Sequence, residues 1–293
     1  MDVFQDKTAV ISGGAEGIGL AVAHALGKRG MNIVIADINP EQLAAAEAEL
    51  KSAGIPILAT ALDVADLNQW QQVAEQSAAR FGKVHMVVNN AGVGGKGGTI
   101  EETDPKTWQW VLDVNLMGVV YGTQVMVPLI KSHGEGGWVV NVASMAGFGP
   151  LPLATPYTAT KAAVVAMTEN WAMELTPEGI HASVLCPGFT QTRINQSERN
   201  KHERYASEPS QDGSNAKQLD GMLKKVVDEG MPTSVVAERV LEALEAKELY
   251  IFTHPSYQPL VNVRFKAAAA AFDNAVESPL LADYKDLMLP AFN

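Results

Sequence analysis

Tyr157 and Lys161 lie four residues apart in the stretch TPYTATKAAV, residues 155–164. Residues at this spacing share one face of a helix, so both side chains can act on the same group. A phenol is a weak base at neutral pH, and a neighbouring ammonium favours its ionised form. The pair is therefore a candidate proton-transfer device. Because the spacing alone also arises by chance, its meaning depends on the elements that position it.

Those elements alternate along the first half of the chain. Its apolar runs are continuous, as is typical of strands that helices cover on both faces, and longer segments with apolar residues at helical spacing separate them. The predicted strands are residues 8–12, 32–37, 56–62, 84–89, 137–143, 181–186 and 249–252. The predicted helices between them are residues 17–30, 40–53, 66–81, 107–133 and 156–176. Repeated strand–helix units predict a parallel sheet with right-handed crossovers.

Composition excludes several classes of partner. The chain has 293 residues, 47% hydrophobic and 19% charged, with a net charge of −11. This acidic balance is unsuited to nucleic acid, and no polybasic segment would bind an anionic membrane surface. We expect a cytoplasmic protein, because the start MDVFQDKTAV lacks signal-peptide features and no apolar run approaches the roughly 20 residues of a membrane helix.

Cysteine and histidine give no sign of a metal site. Cys186 is the only cysteine, which excludes an intrachain disulfide and fits a reducing compartment. It ends an apolar strand, so packing is its expected role. The six histidines show no metal-ligand spacing and no carboxylate cluster joins them, so we expect no metal.

A glycine-rich turn follows the first strand. In SGGAEGIG, residues 12–19, glycines at positions 13, 17 and 19 allow a tight turn and close approach of the backbone to a ligand. With a strand before it and a helix after it, the turn predicts a pyrophosphate at the helix N-terminus. Its spacing is wider than the common G-x-G-x-x-G dinucleotide pattern.

The second strand ends at Asp37, which favours NAD over NADP. A carboxylate at this position accepts hydrogen bonds from the adenosine ribose hydroxyls and repels a 2′-phosphate. Glu16 adds a negative charge within the glycine turn, and Ile38 and Asn39 supply no cation. The alternative is that Asp37 is only a surface carboxylate before the turn at Asn39.

Together these motifs resemble a short-chain dehydrogenase/reductase of the classical type. The resemblance rests on the glycine turn, Asp63-Val64, NNAG (residues 89–92), Asn115, Ser144, Tyr157-x-x-x-Lys161 and PGFTQT (residues 187–192). It spans residues 8–192 and implies a Rossmann-type doubly wound parallel sheet of about seven strands with helices on both faces. Ser12 stands where the family usually has Thr, and Thr190 where it often has an aliphatic residue.

The resemblance also implies roles for individual residues. Tyr157 would be the general acid/base, Ser144 would hydrogen-bond the reacting oxygen, and Lys161 would tune Tyr157 and bind the nicotinamide ribose. Asn115 would kink its helix and hold a water that links Lys161 to solvent. The implied coenzyme-binding residues, besides Tyr157 and Lys161, are Gly13, Glu16, Gly17, Ile18, Gly19, Asp37, Asp63, Val64, Asn90, Ala91, Gly92, Pro187, Gly188, Thr190 and Thr192.

The predicted activity is NAD-dependent interconversion of a secondary alcohol and a ketone on a bulky hydrophobic or aromatic substrate. The side chains available to line the substrate are apolar, and we expect them to include Met145, Phe148, Leu153, Phe189 and Met222. Lys96 and Arg193 are the only cations expected nearby, so no paired clamp for an acidic substrate is evident. Two alternatives stay open: a scaffold or regulator that binds NAD without turnover, and an epimerase or dehydratase that recycles NAD.

The remaining segments predict the domain organisation and the oligomeric state. We expect one domain over residues 1–293, with an insertion at about residues 194–230 and an extended tail at residues 254–293. The insertion is polar and ends in an apolar-faced helix, so it is either a mobile cover over a cleft or a tolerated surface insertion. Helices 107–133 and 156–176 are apolar nearly all round. This predicts a homodimer or homotetramer, the alternative being helices buried within one chain.

Overall fold

A seven-stranded parallel sheet forms the centre of the chain. The computed structural model describes residues 2–206, 221 and 224–285. Its strands are β1 (Thr8–Ser12), β2 (Asn32–Asp37), β3 (Ile57–Ala61), β4 (Met86–Asn89), β5 (Gly137–Val142), β6 (Ile180–Cys186) and β7 (Tyr250–Phe252). They pair in the order β3-β2-β1-β4-β5-β6-β7, and every pair is parallel. The predicted fold class is confirmed.

The apolar strands supply two cores because their side chains alternate between the sheet faces. On one face Ile33 and Ile35 pack against α1 (Gly17–Lys28), α2 (Pro40–Ser52) and α7 (Thr233–Glu245). On the other, Val34 and Val87 pack against α3 (Leu67–Phe81), α5 (Gly118–Ser132) and α6 (Thr155–Leu175). Burial on both faces is the physical reason for the continuous apolar runs.

The predicted helix 107–133 is interrupted. It consists of α4 (Pro105–Leu112), a π-helical turn (Asp113–Met117) and α5. By length and composition alone, Pro105–Ser132 could cross a membrane, since its most apolar 18-residue window has a mean hydropathy of 1.2. It is the one such helix in the described part of the chain, and 44% of its most apolar window is buried in this structure. Packing on the sheet covers part of its apolar surface, as for Met126 and Ile130.

The C-terminal part of the chain contains helix α7 and a separate compact unit. Helix α7 begins at Thr233, directly after Pro232, and no side chain caps its first turn. The chain divides into two compact units, residues 1–253 and 254–293. The described part of the second unit contains α8 (Gln258–Val276), which includes the predicted helical stretch KAAAAAF (residues 266–272).

A buried chain of polar side chains joins the sheet to α5 and α6. Asn89 Nδ2 donates to Thr123 Oγ1 (3.0 Å) and to Asn141 Oδ1 (2.8 Å), and Asn141 Nδ2 donates to Thr168 Oγ1 (2.9 Å). All four residues are buried. Because buried amides are costly without partners, this network fixes the helices at one height on the sheet.

Three side chains with metal-binding atoms lie close together just before β4 and β5. The sequence did not predict this cluster. The ligand atoms of His85, His133 and Glu135 lie within 4.8 Å of one another. Both imidazoles already accept a backbone N–H through Nδ1: His85 from Thr8 (3.2 Å) and His133 from Glu135 (3.2 Å). A neutral imidazole has one lone pair, so neither ring offers one to a metal in this arrangement.

Gly122 on α5 lets that helix approach the network closely. A Cβ there would lie 2.2 Å from Asn89 Oδ1 and 2.8 Å from the Trp70 ring. We expect Gly122→Ala to lower the free energy of unfolding by about 1–3 kcal/mol, because the helix must shift away from buried groups. Urea denaturation measures the change. Gly221→Ala is the control, since a Cβ at that helical position meets nothing within 4 Å. Equal stability of both variants would contradict this packing.

Candidate active site

The glycine turn is held against the loop after β4. A Cβ on Gly13 would lie 2.8 Å from Ala91 Cα, and one on Gly19 would lie 2.3 Å from the Gly13 carbonyl oxygen. Asn90 Nδ2 donates to the carbonyls of Ser12 (3.0 Å) and Gly13 (2.9 Å). Ser12 Oγ accepts the N–H groups of Asn90 (3.1 Å) and Ala91 (3.2 Å), so the serine in place of threonine still bridges the two loops.

The turn opens onto the N-terminus of α1. Gly17 has φ +60°, and a Cβ there would meet only the Thr192 side chain, 3.4 Å away. No side chain caps α1, so its first N–H groups remain available for an anion. An open cleft of about 450 Å³ lies here, lined by Glu16, Gly17, Gln191, Thr192, Arg193 and Asp228. The half-buried Ile18 packs into the core instead.

Asp37 is a buried acceptor at the end of β2. Its Oδ2 accepts the Ala15 N–H (3.2 Å) and its Oδ1 accepts the Asn39 N–H (3.0 Å). Burial raises the pKa of this carboxyl, and the backbone N–H groups partly offset that rise. A surface carboxylate would show neither feature, and free lone pairs remain on both oxygens for further donors.

Asp63 and Val64 follow β3. Asp63 Oδ1 accepts the Ala65 N–H (3.0 Å), and Oδ2 accepts Arg204 Nη2 (2.7 Å). Val64 is buried, and a Cβ on Gly118 would lie 2.8 Å from its Cγ2. The Asp63 carboxylate is thus paired with Arg204, whereas the Val64 side chain lies against the start of α5.

Asn115 lies in the π-helical turn and is fully buried. Its Oδ1 accepts the Val93 N–H (2.8 Å), and its Nδ2 donates to the Val93 carbonyl (2.9 Å) and to Thr160 Oγ1 (3.4 Å). A Cβ on Gly92 would lie 3.4 Å from Asn115 Oδ1 and 3.5 Å from Lys161 Nζ. The widened turn therefore brings the loop after β4 next to the lysine of α6.

Lys161 is a buried ammonium, 3% exposed. Its Nζ donates to the Val142 carbonyl (2.8 Å) at the end of β5 and lies 5.6 Å from the centre of the Tyr157 ring. Burial lowers the pKa of Lys161 to about 8. The group therefore remains mostly charged at neutral pH and loses its proton about two units below an exposed lysine.

Tyr157 differs from the sequence expectation in one respect. Lys161 was expected to favour the phenolate, but burial raises the pKa of Tyr157, and only a hydrogen bond with Ser144 opposes the rise. Loss of water around the phenol outweighs the ammonium, which is itself turned to Val142. Tyr157 is therefore a protonated phenol at neutral pH in this arrangement.

Ser144 begins the turn after β5, where its Oγ accepts the Ala146 N–H (3.1 Å). The hydroxyl hydrogen of Ser144 is then left to donate, and the hydrogen bond with Tyr157 uses it. Two polar side chains with exchangeable hydrogens, Ser144 and Tyr157, are thus in contact beside the buried ammonium of Lys161. This arrangement can bind one oxygen atom and exchange a proton with it.

The loops after β5 and β6 are joined next to these residues. The Met145 N–H donates to the Pro187 carbonyl (2.9 Å), and buried Thr190 donates to the Gly188 carbonyl (3.3 Å). The carbonyl of Phe189 accepts the Met231 N–H (3.0 Å). These bonds place the PGFTQT turn between the glycine turn and Tyr157.

Of the expected substrate-lining residues, four lie in the described part. Met145 and Phe148 are buried, and the Phe148 ring lies 5.3 Å from that of Phe252 and 5.9 Å from that of Tyr250. Leu153 has φ +65°, an uncommon conformation for a residue with a side chain, and its carbonyl accepts the Gly98 N–H (2.9 Å). Phe189 is half-buried. Met222, with part of the expected cover helix, lies outside the described residues.

Sequence reasoning missed the arginines after β6. Arg199 and Arg193 both reach Glu16, the latter with Nη1 at 3.5 Å from Oε2, and Arg204 pairs with Asp63. These partners are 141 or more positions apart along the chain, so local spacing carried no signal of them. Arg199 and Arg204 pair with carboxylates of the glycine turn and of the loop after β3, so the expectation that Lys96 and Arg193 are the only cations beside the substrate stays a prediction.

Comparison with known proteins places the chain in a family. The family model described as short chain dehydrogenase matches residues 7–203. A "CLA biosynthesis dehydrogenase/reductase" of Lactiplantibacillus plantarum is 33% identical over 91% of this chain and 94% of its own length. A "3beta-hydroxysteroid dehydrogenase 2" of Eggerthella lenta is 36% identical over 69% of this chain and 78% of its own.

A solved structure agrees in both fold and sequence. A short chain dehydrogenase/reductase of Burkholderia phymatum, in complex with NAD, superposes with a TM-score of 0.89 at 35% identity, covering 92% of this chain and 97% of that one. The two chains therefore share both a fold and a related sequence. This chain also contains the glycine turn and the Ser144–Tyr157–Lys161 group. This chain belongs to the short-chain dehydrogenase/reductase family.

Proposed function

We propose that this chain is an NAD-dependent oxidoreductase that interconverts a secondary alcohol and a ketone on a bulky hydrophobic or aromatic substrate. The observation that carries the proposal is the contact of Tyr157 with Ser144 beside the buried Lys161 ammonium. The glycine turn, the uncapped start of α1 and buried Asp37 support a dinucleotide in the adjoining cleft. Bound NAD would supply the hydride acceptor.

In this proposal Tyr157 exchanges a proton with the substrate oxygen, and Ser144 donates a hydrogen bond to the same oxygen. The raised pKa of Tyr157 leaves the phenol protonated at neutral pH, which suits proton donation to a ketone oxygen. Oxidation of an alcohol requires the phenolate, and the positive charge of Lys161 favours it below the lysine pKa of about 8. Thr160 and Asn115 hold the helix and loop that position the lysine.

The coenzyme contacts follow from the same geometry. The N–H groups of the glycine turn and α1 would hold the pyrophosphate, Asp37 the adenosine ribose, and Lys161 the nicotinamide ribose. NAD is proposed over NADP because the buried Asp37 carboxylate would repel a 2′-phosphate.

Assembly as a homodimer or homotetramer through helices 107–133 and 156–176 is also proposed. Apolar side chains along these helices, such as Tyr121, Val125 and Trp171, are only partly buried in the single chain, and Met173 is 74% exposed. A second copy of the chain would cover them. Cytoplasmic location remains a prediction.

Tyr157→Phe tests the catalytic role. We expect kcat to fall by about 10²–10⁴-fold, because the ring is retained and only the proton-transfer group is lost. The affinity for NAD, measured by titration calorimetry, should stay within about threefold of the parent. Tyr121→Phe is the control, because it removes a hydroxyl from a half-buried side chain of α5. This variant should retain full turnover. Full turnover by Tyr157→Phe would refute the assignment.

Asp37→Asn tests the choice of coenzyme. The amide oxygen can accept one of the two backbone N–H groups that the Asp37 oxygens accept, and the charge is removed. We expect NAD to bind about tenfold more weakly and the preference for NAD over NADP to shrink by a similar factor. Dissociation constants for both coenzymes measure the change, with Asp66→Asn, on the cap of α3, as the control. Unchanged selectivity would contradict the ribose role.

Steady-state kinetics over four kinds of alcohol test the substrate class. Apolar lining residues predict the highest kcat/KM for aryl-alkyl and steroid secondary alcohols, and values at least about tenfold lower for sugars and hydroxy acids, whose polar groups would lack partners. The Eggerthella lenta relative is named for a hydroxysteroid, which supports including steroids. Activity on sugars or acids alone would contradict the proposal.

A further inference from the structure

The glycine turn has an unfavourable charge for its proposed ligand. A pyrophosphate is anionic, yet the turn contributes Glu16, and Asp228 lines the same cleft. The uncapped N–H groups of α1 supply only partial positive charge. Of the described residues that line the cleft, Arg193 is the one cation, and its Nη1 lies 3.5 Å from Glu16 Oε2.

Arg199 reaches this position from the segment after β6. Its Nη2 forms an ion pair with Glu16 Oε1, and its Nη1 donates to the carbonyls of Arg193 (3.0 Å) and Gln196 (3.0 Å). A guanidinium has five N–H donors, and acceptors among the described residues take three of them. The side chain is 23% exposed, so it is held in place beside Glu16, which lines the cleft, while part of it still faces solvent.

Contacts along residues 193–205, here called the strap, keep Arg199 there. Ser197 Oγ accepts the Gly94 N–H (3.0 Å), and Asn200 Oδ1 accepts from Asn39 Nδ2 (3.4 Å). Tyr205 is buried, and its hydroxyl donates to Asp113 Oδ2 (2.8 Å). The strap therefore crosses the loops that follow β1, β2 and β4, along the edge where the coenzyme cleft lies.

We propose that Arg199 is a coenzyme-positioning residue that presents its guanidinium to the pyrophosphate, with Glu16 and two backbone carbonyls fixing its orientation. This inference rests on the proposed NAD-dependent function and adds a binding residue to it. Glu16 acts as the anchor of the cation, and the pair offers the ligand a directed hydrogen-bond donor where the glycine turn alone would offer a negative charge. The 2′-position of the ribose is left to Asp37.

Arg199→Met tests the proposal through binding alone. Titration calorimetry should show NAD and ADP-ribose binding roughly tenfold more weakly than to the parent, because both contain the pyrophosphate. Adenosine, which has no phosphate, should bind both proteins equally. The salt dependence of ADP-ribose affinity should also become shallower in the variant. Arg239→Met removes an ion-paired arginine from α7 and should leave all three affinities unchanged.

The opposite results are equally distinct. Unchanged affinity of Arg199→Met for NAD and ADP-ribose would overturn the proposal, and so would an equal loss for adenosine, which indicates a merely structural role. Arg199→Gln retains donors for the same carbonyls without the charge, so it gives the same readout if the methionine variant fails to fold. A parent that binds NAD through Arg199 but oxidises no alcohol would refute the proposed function and leave this inference intact.

Discussion

The burial of the Lys161 ammonium is the constraint on which the arrangement of the site depends. A charge that is 3% exposed needs close polar partners, and the Val142 carbonyl at 2.8 Å is the nearest one the sheet provides. The absence of a side chain on Gly92 leaves room beside Nζ, and the π-helical turn brings Asn115 to the same loop. The same burial lowers the pKa of Lys161 to about 8. A pKa close to neutral pH suits a side chain that takes part in proton exchange.

The parallel sheet brings the ends of distant sequence segments together at one edge. Ser12 and Asn89 are level in the register of β1 and β4, so the glycine turn and the NNAG loop begin side by side. The buried network from Asn89 through Asn141 to Thr168 ties α6 to the same strands. The helix that carries Tyr157 is therefore positioned by the strands that also end at the coenzyme cleft, at the point where the strand order reverses.

Sequence predicted the elements whose signal is local. Apolar runs located all seven strands within about two residues, and turn motifs located the residues that surround the cleft, because strand ends and their loops are contiguous in the chain. It did not predict Arg199 at Glu16, Arg204 at Asp63 or His85 at Glu135, since each pairing joins distant segments. The spacing of Tyr157 and Lys161 shows the ammonium but not the loss of water around the phenol, which raises the pKa of Tyr157.

The central claim is that hydride leaves the substrate carbon while Tyr157 takes the proton. The most direct measurement uses an aryl-alkyl or steroid secondary alcohol with deuterium on its carbinol carbon, incubated with NAD. We expect ketone to accumulate in step with reduced coenzyme and mass spectrometry to find the deuterium on that coenzyme. Product formed without accumulation of reduced coenzyme, as in an epimerase or dehydratase, or deuterium released to water, would contradict it.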